Sequence, residues 1–159
     1  MQSKARFLGH PVHQMLIVFP LGLLGTSVVF DVLHKVFDAP TFAIVAFWMI
    51  VAGVVGGLIA APFGTVDWLS IPARTRARRI GALHGAGNVL VTALFAVSGW
   101  LRADAPADPP GVALAFSVLG VAIALVTAWL GGELVTRLGV GVYERADIDA
   151  PSSLDARRS

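Results

Sequence analysis

Four stretches of roughly twenty mostly apolar residues divide this chain, and most charged residues fall between them. At about 1.5 Å of rise per helical residue, each stretch spans the roughly 30 Å hydrocarbon core of a bilayer. Lipid offers backbone amides no partners, so each stretch has to satisfy them internally, as an α-helix does. The expected fold class is therefore all-α, a four-span transmembrane helical bundle. With 56% hydrophobic and 14% charged residues, the chain falls well below the roughly 25% charged of soluble domains. It reads as an integral membrane protein of one compact domain.

Boundaries follow from local signals. Span one starts at Pro11, ends near Val36, and should kink at Pro20, where a proline frees a backbone carbonyl. Span two covers Phe42 to about Phe63 and is expected to be broken by Pro62 and Gly64, with small residues at Gly53, Gly57 and Ala61 letting a neighbour approach. Span three covers about Ile80 to Leu101, and span four about Val112 to Gly132. The organisation is then a cytoplasmic N-terminus (1–10), a four-helix membrane domain (11–142) and a polar tail (143–159) expected to be disordered. The opening MQSKARF resembles the charged start of a secretory signal, but the apolar run after it is long and lacks a small-residue cleavage site, so it reads as a retained first span.

Charge sets the expected orientation. Arg74, Arg76, Arg78 and Arg79 form the one strongly basic stretch, with Lys4 and Arg6 on the same side of the membrane, whereas the loop bearing Asp104 and Asp108 is acidic. The positive-inside rule then places both termini in the cytoplasm, N-in and C-in. No basic block is interleaved with aromatics, so nucleic acid is not an expected partner.

Within span one, His10, His13, Pro20, Ser27, Asp31 and His34 step by three, four and seven residues and make one polar stripe on an otherwise apolar helix. Intramembrane Asp and His are costly against lipid, so the stripe should face other helices. At the inner ends of the spans the topology gathers His10, His13, Asp67, His84, Asn88 and Glu133, and on the outer side Asp31, His34, Lys35 and Asp38. Glu133 and Arg137, one turn apart, suggest a local ion pair. Spans one and three each begin with a histidine, and spans two and four each end with glycine and an acid (Gly64 and Asp67; Gly132 and Glu133). That pattern hints at two hairpins related by an axis along the membrane normal.

The chain has no cysteine, which excludes disulfides, thiolate metal sites, iron-sulfur clusters and covalently attached c-type haem. Four readings of the inner cluster stay open. His13 and His84, from different helices at one depth, can supply both axial nitrogens of a b-type haem, with His10 and Asn88 beside them and arginines at the rim pairing its propionates. His10, His13, Asp67 and His84 instead make a three-His, one-carboxylate set for a divalent metal such as zinc. Proton or solute passage could follow the span-one stripe. The bland alternative is structural: helix capping by His10, and interhelical hydrogen bonds from Ser27, Asn88 and Thr127.

The ordered set HPVH, FPLG and SVVFD in span one, GTVD after span two, HGAGN in span three and GGELVTRLGVGV after span four resembles the bacterial membrane-protein family catalogued as domain of unknown function 2231. The resemblance runs from about Gly9 to Val142, and its motif residues include His10, Pro11, His13, Pro20, Asp31, Gly64, Asp67, His84, Asn88, Gly131 and Gly132. Some members are fused to Rieske-type iron-sulfur or cytochrome c domains, which implies a redox setting and favours haem over metal. The expectation is a non-catalytic electron-transfer component of the bacterial inner membrane. It would bind b-type haem, work with a Rieske-type or cytochrome c partner, and be able to self-associate through its Gly/Ala seams.

Overall fold

The computed structural model describes residues 1–154 and is mostly helical. A two-stranded hairpin, β1 (Arg6–Phe7) and β2 (His10–Pro11), leads into α1 (Val12–Leu16) and α2 (Val18–Phe37), followed by α3 (Pro40–Ser70), α4 (Arg76–Leu101), α5 (Gly111–Gly132) and a π-helical turn (Glu133–Arg137). Four helical stretches, Val12–Phe37, Pro40–Ser70, Arg76–Leu101 and Gly111–Arg137, are long and apolar enough to cross a membrane. Their outward side chains are greasy: Val18, Phe19, Leu21, Val29, Val32 and Val36 of the first span are all exposed.

The first span is interrupted at Ile17, because Pro20 has no N–H to offer the preceding turn. It ends at Asp38, whose left-handed backbone (φ 48°) reverses the chain directly into Pro40. His10 lies in β2, ahead of the helix and exposed, so it does not extend the helical stripe. The rest of the stripe does turn inward: Leu24, Ser27, Asp31 and His34 are the buried residues of α2.

Helix α3 corrects the expected break at Pro62 and Gly64: it runs unbroken to Ser70. Pro62 removes one rung, but the ladder continues around it, and the hydroxyls of Thr65 and Ser70 donate back to the Ala61 and Val66 carbonyls at 2.9 and 2.8 Å. Helix α4 starts a turn earlier than expected. Thr75 caps it, accepting from the Arg78 amide at 3.1 Å. Arg78 then turns back to donate to the Trp68 and Ile71 carbonyls at the end of α3, its guanidinium 4.1 Å from the Trp68 ring centroid. The expected Glu133–Arg137 pair does not form; Glu133 pairs with Arg76 of α4 at 2.6 Å.

The described residues at the two ends of the chain lie at one end of the bundle, here the terminal end. Met1 donates its ammonium to the Gly139 carbonyl at 2.9 Å, and its own carbonyl accepts from the Gly141 amide. Residues as far as Ser153 pack back there, Ser153 Oγ donating to the Leu8 carbonyl at 3.0 Å. The last five residues of the tail expected to be disordered, 155–159, lie outside the described residues. The opposite end, where α2 turns into α3 and α4 into α5, is the loop end.

The helices form two hairpins, α1/α2 with α3 and α4 with α5, and the second repeats the first. Positions 13, 24, 27 and 31 correspond to 84, 95, 98 and 102, a separation of 71 residues, the same that joins Asp31 to Arg102. In the return helices, 46, 53, 60 and 64 correspond to 113, 120, 127 and 131. Equivalent residues do equivalent work. Leu24 lies over Gly53 as Phe95 lies over Gly120, Ala46 and Ala113 are both fully buried, and so are Ser27 and Ser98. The acids do not match as the sequence suggested, since the counterpart of Asp67 is the buried Leu134. Between the hairpins Leu24, Ile50, Val91 and Phe95 form an apolar core at mid-bundle.

Candidate functional site

The apolar core separates two polar clusters, one at each end. At the terminal end, α1 carries His13 against α3, and its Nδ1 lies 3.1 Å from the Ala60 carbonyl. The ring fits there because Gly64, one turn further along α3, has no side chain: a Cβ at that position would lie 2.7 Å from His13 Cε1 and 2.9 Å from Nδ1. Hairpin two repeats the device. His84 of α4 places Nδ1 2.9 Å from the Thr127 carbonyl of α5, and a Cβ on Gly131 would lie 3.0 Å from its Cε1. The two rings therefore sit at corresponding depths, each keyed into a glycine notch of its own hairpin.

The two histidines differ in their neighbours. Asn88, one turn after His84, donates to the His84 carbonyl at 2.8 Å, holds its amide nitrogen 3.2 Å from His84 Nε2, and accepts from Thr127 Oγ1 at 3.2 Å. The corresponding positions in hairpin one are Ile17 and Ala60, so no such amide stands beside His13. His84 and Asn88 are thus brought together as their spacing implied.

The other inner residues are engaged elsewhere. Asp67 Oδ1 accepts from Ser3 Oγ at 2.6 Å and from the amides of Lys4 and Ala5 at 3.0 and 3.4 Å, so its carboxylate anchors the N-terminal segment. His10 Nε2 lies 3.3 Å from Ser153 Oγ. Glu133 is held by Arg76. His10, His13, Asp67 and His84 do not converge, and no group of three or more His, Cys, Asp or Glu stands ready to hold a metal among the described residues.

The loop end holds a group that sequence reasoning missed. Arg102, the residue after α4, is fully buried and meets Asp31 of α2 in a two-pronged ion pair, with Nη–Oδ distances of 2.8 and 3.1 Å. One Nη also donates to Ser98 Oγ at 2.9 Å and lies 3.4 Å from Ser117 Oγ, while Ser98 and Ser117 are 2.8 Å apart. Nε is the one buried side-chain nitrogen or oxygen left without a partner among the described residues. Both carboxylate oxygens accept from Arg102, so the pair joins the hairpins. His34 is buried one turn away, its Nδ1 3.1 Å from the Ala39 carbonyl, while Lys35 is exposed. In sequence, Arg102 looks like a flanking charge at the end of a span; aligning His13 with His84 and Ser27 with Ser98 carries Asp31 onto it.

A chain that turns its apolar side chains outward on four long helices, and buries an Asp–Arg pair between them, is a multi-pass α-helical membrane protein. It belongs to the family of predicted membrane proteins designated DUF2231, whose model matches residues 9–144. No curated protein and no solved structure matches the chain.

Proposed function

We propose that the chain is a small membrane redox component that binds b-type haem through His13 and His84, with its terminal end on the cytoplasmic face of the inner membrane. The observation that carries this reading is the placement of the two imidazoles against backbone carbonyls. A carbonyl only accepts, so a neutral ring whose Nδ1 faces the Ala60 or Thr127 carbonyl carries its proton there and keeps a lone pair on Nε2. Anchoring Nδ1–H to a carbonyl also orients the ring, as it does for metal-ligating histidines. Two Nε2 atoms, from separate hairpins at corresponding depths, are the donor set that would hold a haem. The Asn88 amide nitrogen lies 3.2 Å from Nε2 and 3.4 Å from Nδ1 of His84, across the ring and off the Nε2 lone pair, and Asn88 has its partners in the His84 carbonyl and Thr127 Oγ1.

A haem held there would supply one-electron chemistry. The protein's part is to fix the two rings and keep that end of the bundle packed. The Ala60 and Thr127 carbonyls and Asn88 serve as orienting groups, since His10 lies outside the helix and Asp67 is committed to residues 3–5. A Rieske-type or cytochrome c protein is the partner such a component would use. Passage along span one finds less support, because Leu24, Ile50, Val91 and Phe95 place no polar group between the two clusters.

A second reading is favoured by the glycine notches: the rings act as keys that fasten α1 to α3 and α4 to α5, with no cofactor. The two readings separate on the haem and metal content of detergent-purified protein, expressed with ample haem, as wild type, His13→Ala, His84→Ala and His34→Ala. Haem in wild type and His34→Ala, lost in the other two, supports ligation. Haem absent from all four overturns it; zinc on the same sample would assign the Nε2 atoms to a metal, and neither would leave the rings as keys.

A further inference from the structure

The two hairpins fold by the same internal rules, and one pair of equivalent buried positions distinguishes them by charge. Within each hairpin a histidine keys into a glycine (His13 on Gly64, His84 on Gly131), and a bulky apolar residue lies over another (Leu24 on Gly53, Phe95 on Gly120). The inner faces so produced are alike, each with a buried serine at 27 or 98 and a buried alanine at 46 or 113. A face like this suits a second copy of itself nearly as well as it suits the other hairpin, so shape alone does not fix the pairing.

Charge does. Residues 31 and 102 are equivalent and touch each other, which places them on the pseudo-two-fold axis between the hairpins. If hairpin one paired with a copy of itself from another chain, Asp31 would meet Asp31; if hairpin two did so, Arg102 would meet Arg102. Two carboxylates packed together without water cannot both ionise, and a guanidinium cannot shed its proton. We infer that Asp31 and Arg102 are the residues that select the partner of each hairpin, restricting it to one of opposite charge, the other half of its own chain. A buried ion pair is well suited to this task, since it contributes little net attraction over apolar packing but heavily penalises a mismatch.

The arginine side is furnished for its occupant. Ser98 lies one turn before Arg102 and has a counterpart in Ser27, but the counterpart of Ser117 is Ile50. An arginine at 31 would therefore find one hydroxyl where Arg102 has two near it.

The test uses the full chain, which has no cysteine of its own. Gly57→Cys with Thr92→Cys reports α3 against α4, because a Cβ on Gly57 lies 3.4 Å from Thr92 Oγ1. In this background four charge states are compared in detergent by intrachain against interchain disulfide yield: wild type, Asp31→Arg, Arg102→Asp and the double exchange. Wild type and the exchange should give the intrachain product, and each single reversal should lose it by at least tenfold. A fifth variant, Asp31→Leu with Arg102→Met, removes both charges and is also made with Gly57→Cys and Leu21→Cys, because position 21 is the counterpart of 92 and faces Gly57 when hairpin one pairs with a copy of itself; it should fold but raise the interchain product of this second pair at least tenfold. Single reversals that cross-link like wild type, an exchange no better than the reversals, or an apolar pair that stays wholly intrachain would each overturn the inference.

Discussion

Replacing Gly64 by alanine strikes the contact that fixes His13, and the structure sets the size of the effect. The added methyl would lie 2.7, 2.9 and 3.1 Å from three atoms of the imidazole ring, against the roughly 3.5–4.0 Å of ordinary carbon contact. The ring has to move by most of an ångström, which breaks its 3.1 Å contact with the Ala60 carbonyl. Losing that hydrogen bond costs about 0.5–1.5 kcal/mol and overpacking about 1–3 kcal/mol, while the better helix propensity of alanine returns up to about 1 kcal/mol. A net loss of about 0.5–4.5 kcal/mol is expected. Gly131→Ala should cost less, because its Cβ would approach His84 only to 3.0 Å at one atom. The assay is equilibrium unfolding in mixed micelles followed by tryptophan fluorescence, run as a double-mutant cycle with His13→Ala. With the ring gone, Gly64→Ala should become neutral or stabilising by up to about 1 kcal/mol. An undiminished loss in the His13→Ala background would refute the notch.

Other sites give independent checks. Gly120→Ala should destabilise by about 1–3 kcal/mol, because its Cβ would lie 2.8 Å from Phe95, a fully buried ring with no room to retreat; Gly85→Ala, which meets nothing within 4 Å, should be neutral or stabilising in the same unfolding assay. Asp67→Ala removes the acceptor for Ser3, Lys4 and Ala5, so hydrogen exchange at the Lys4 and Ala5 amides should quicken about tenfold or more while helix protection is unchanged; uniform loss of protection would show a larger structural part for Asp67. Glu133→Gln should cost under about 1 kcal/mol, since its partner Arg76 is half exposed, and a loss of several kcal/mol would contradict that weighting.

Periodicity and span length made the four helices legible, and the stripe of span one correctly placed Ser27, Asp31 and His34 inside. Local breaker rules failed at Pro62 because a proline in an apolar helix removes one bond while the surrounding ladder persists. The His84 and Asn88 association was readable, since residues four apart share a helix face. The engagement of Asp67 was not, because the segment that occupies it lies more than sixty residues away in the chain and carries only a serine and backbone amides to announce it. Arg102 was obscured by its place at the end of a span, where a lone charge ordinarily faces water, and its partner becomes visible only through the repeat that sets Asp31 opposite it.

Haem ligation by the Nε2 atoms of His13 and His84 stands or falls on the optical spectrum of the purified protein, oxidised and then reduced with dithionite, after expression with ample haem. A sharp Soret band with resolved α and β bands on reduction, the signature of a six-coordinate low-spin haem, is expected, with its loss in His84→Ala. A featureless spectrum in the wild type would refute the ligation.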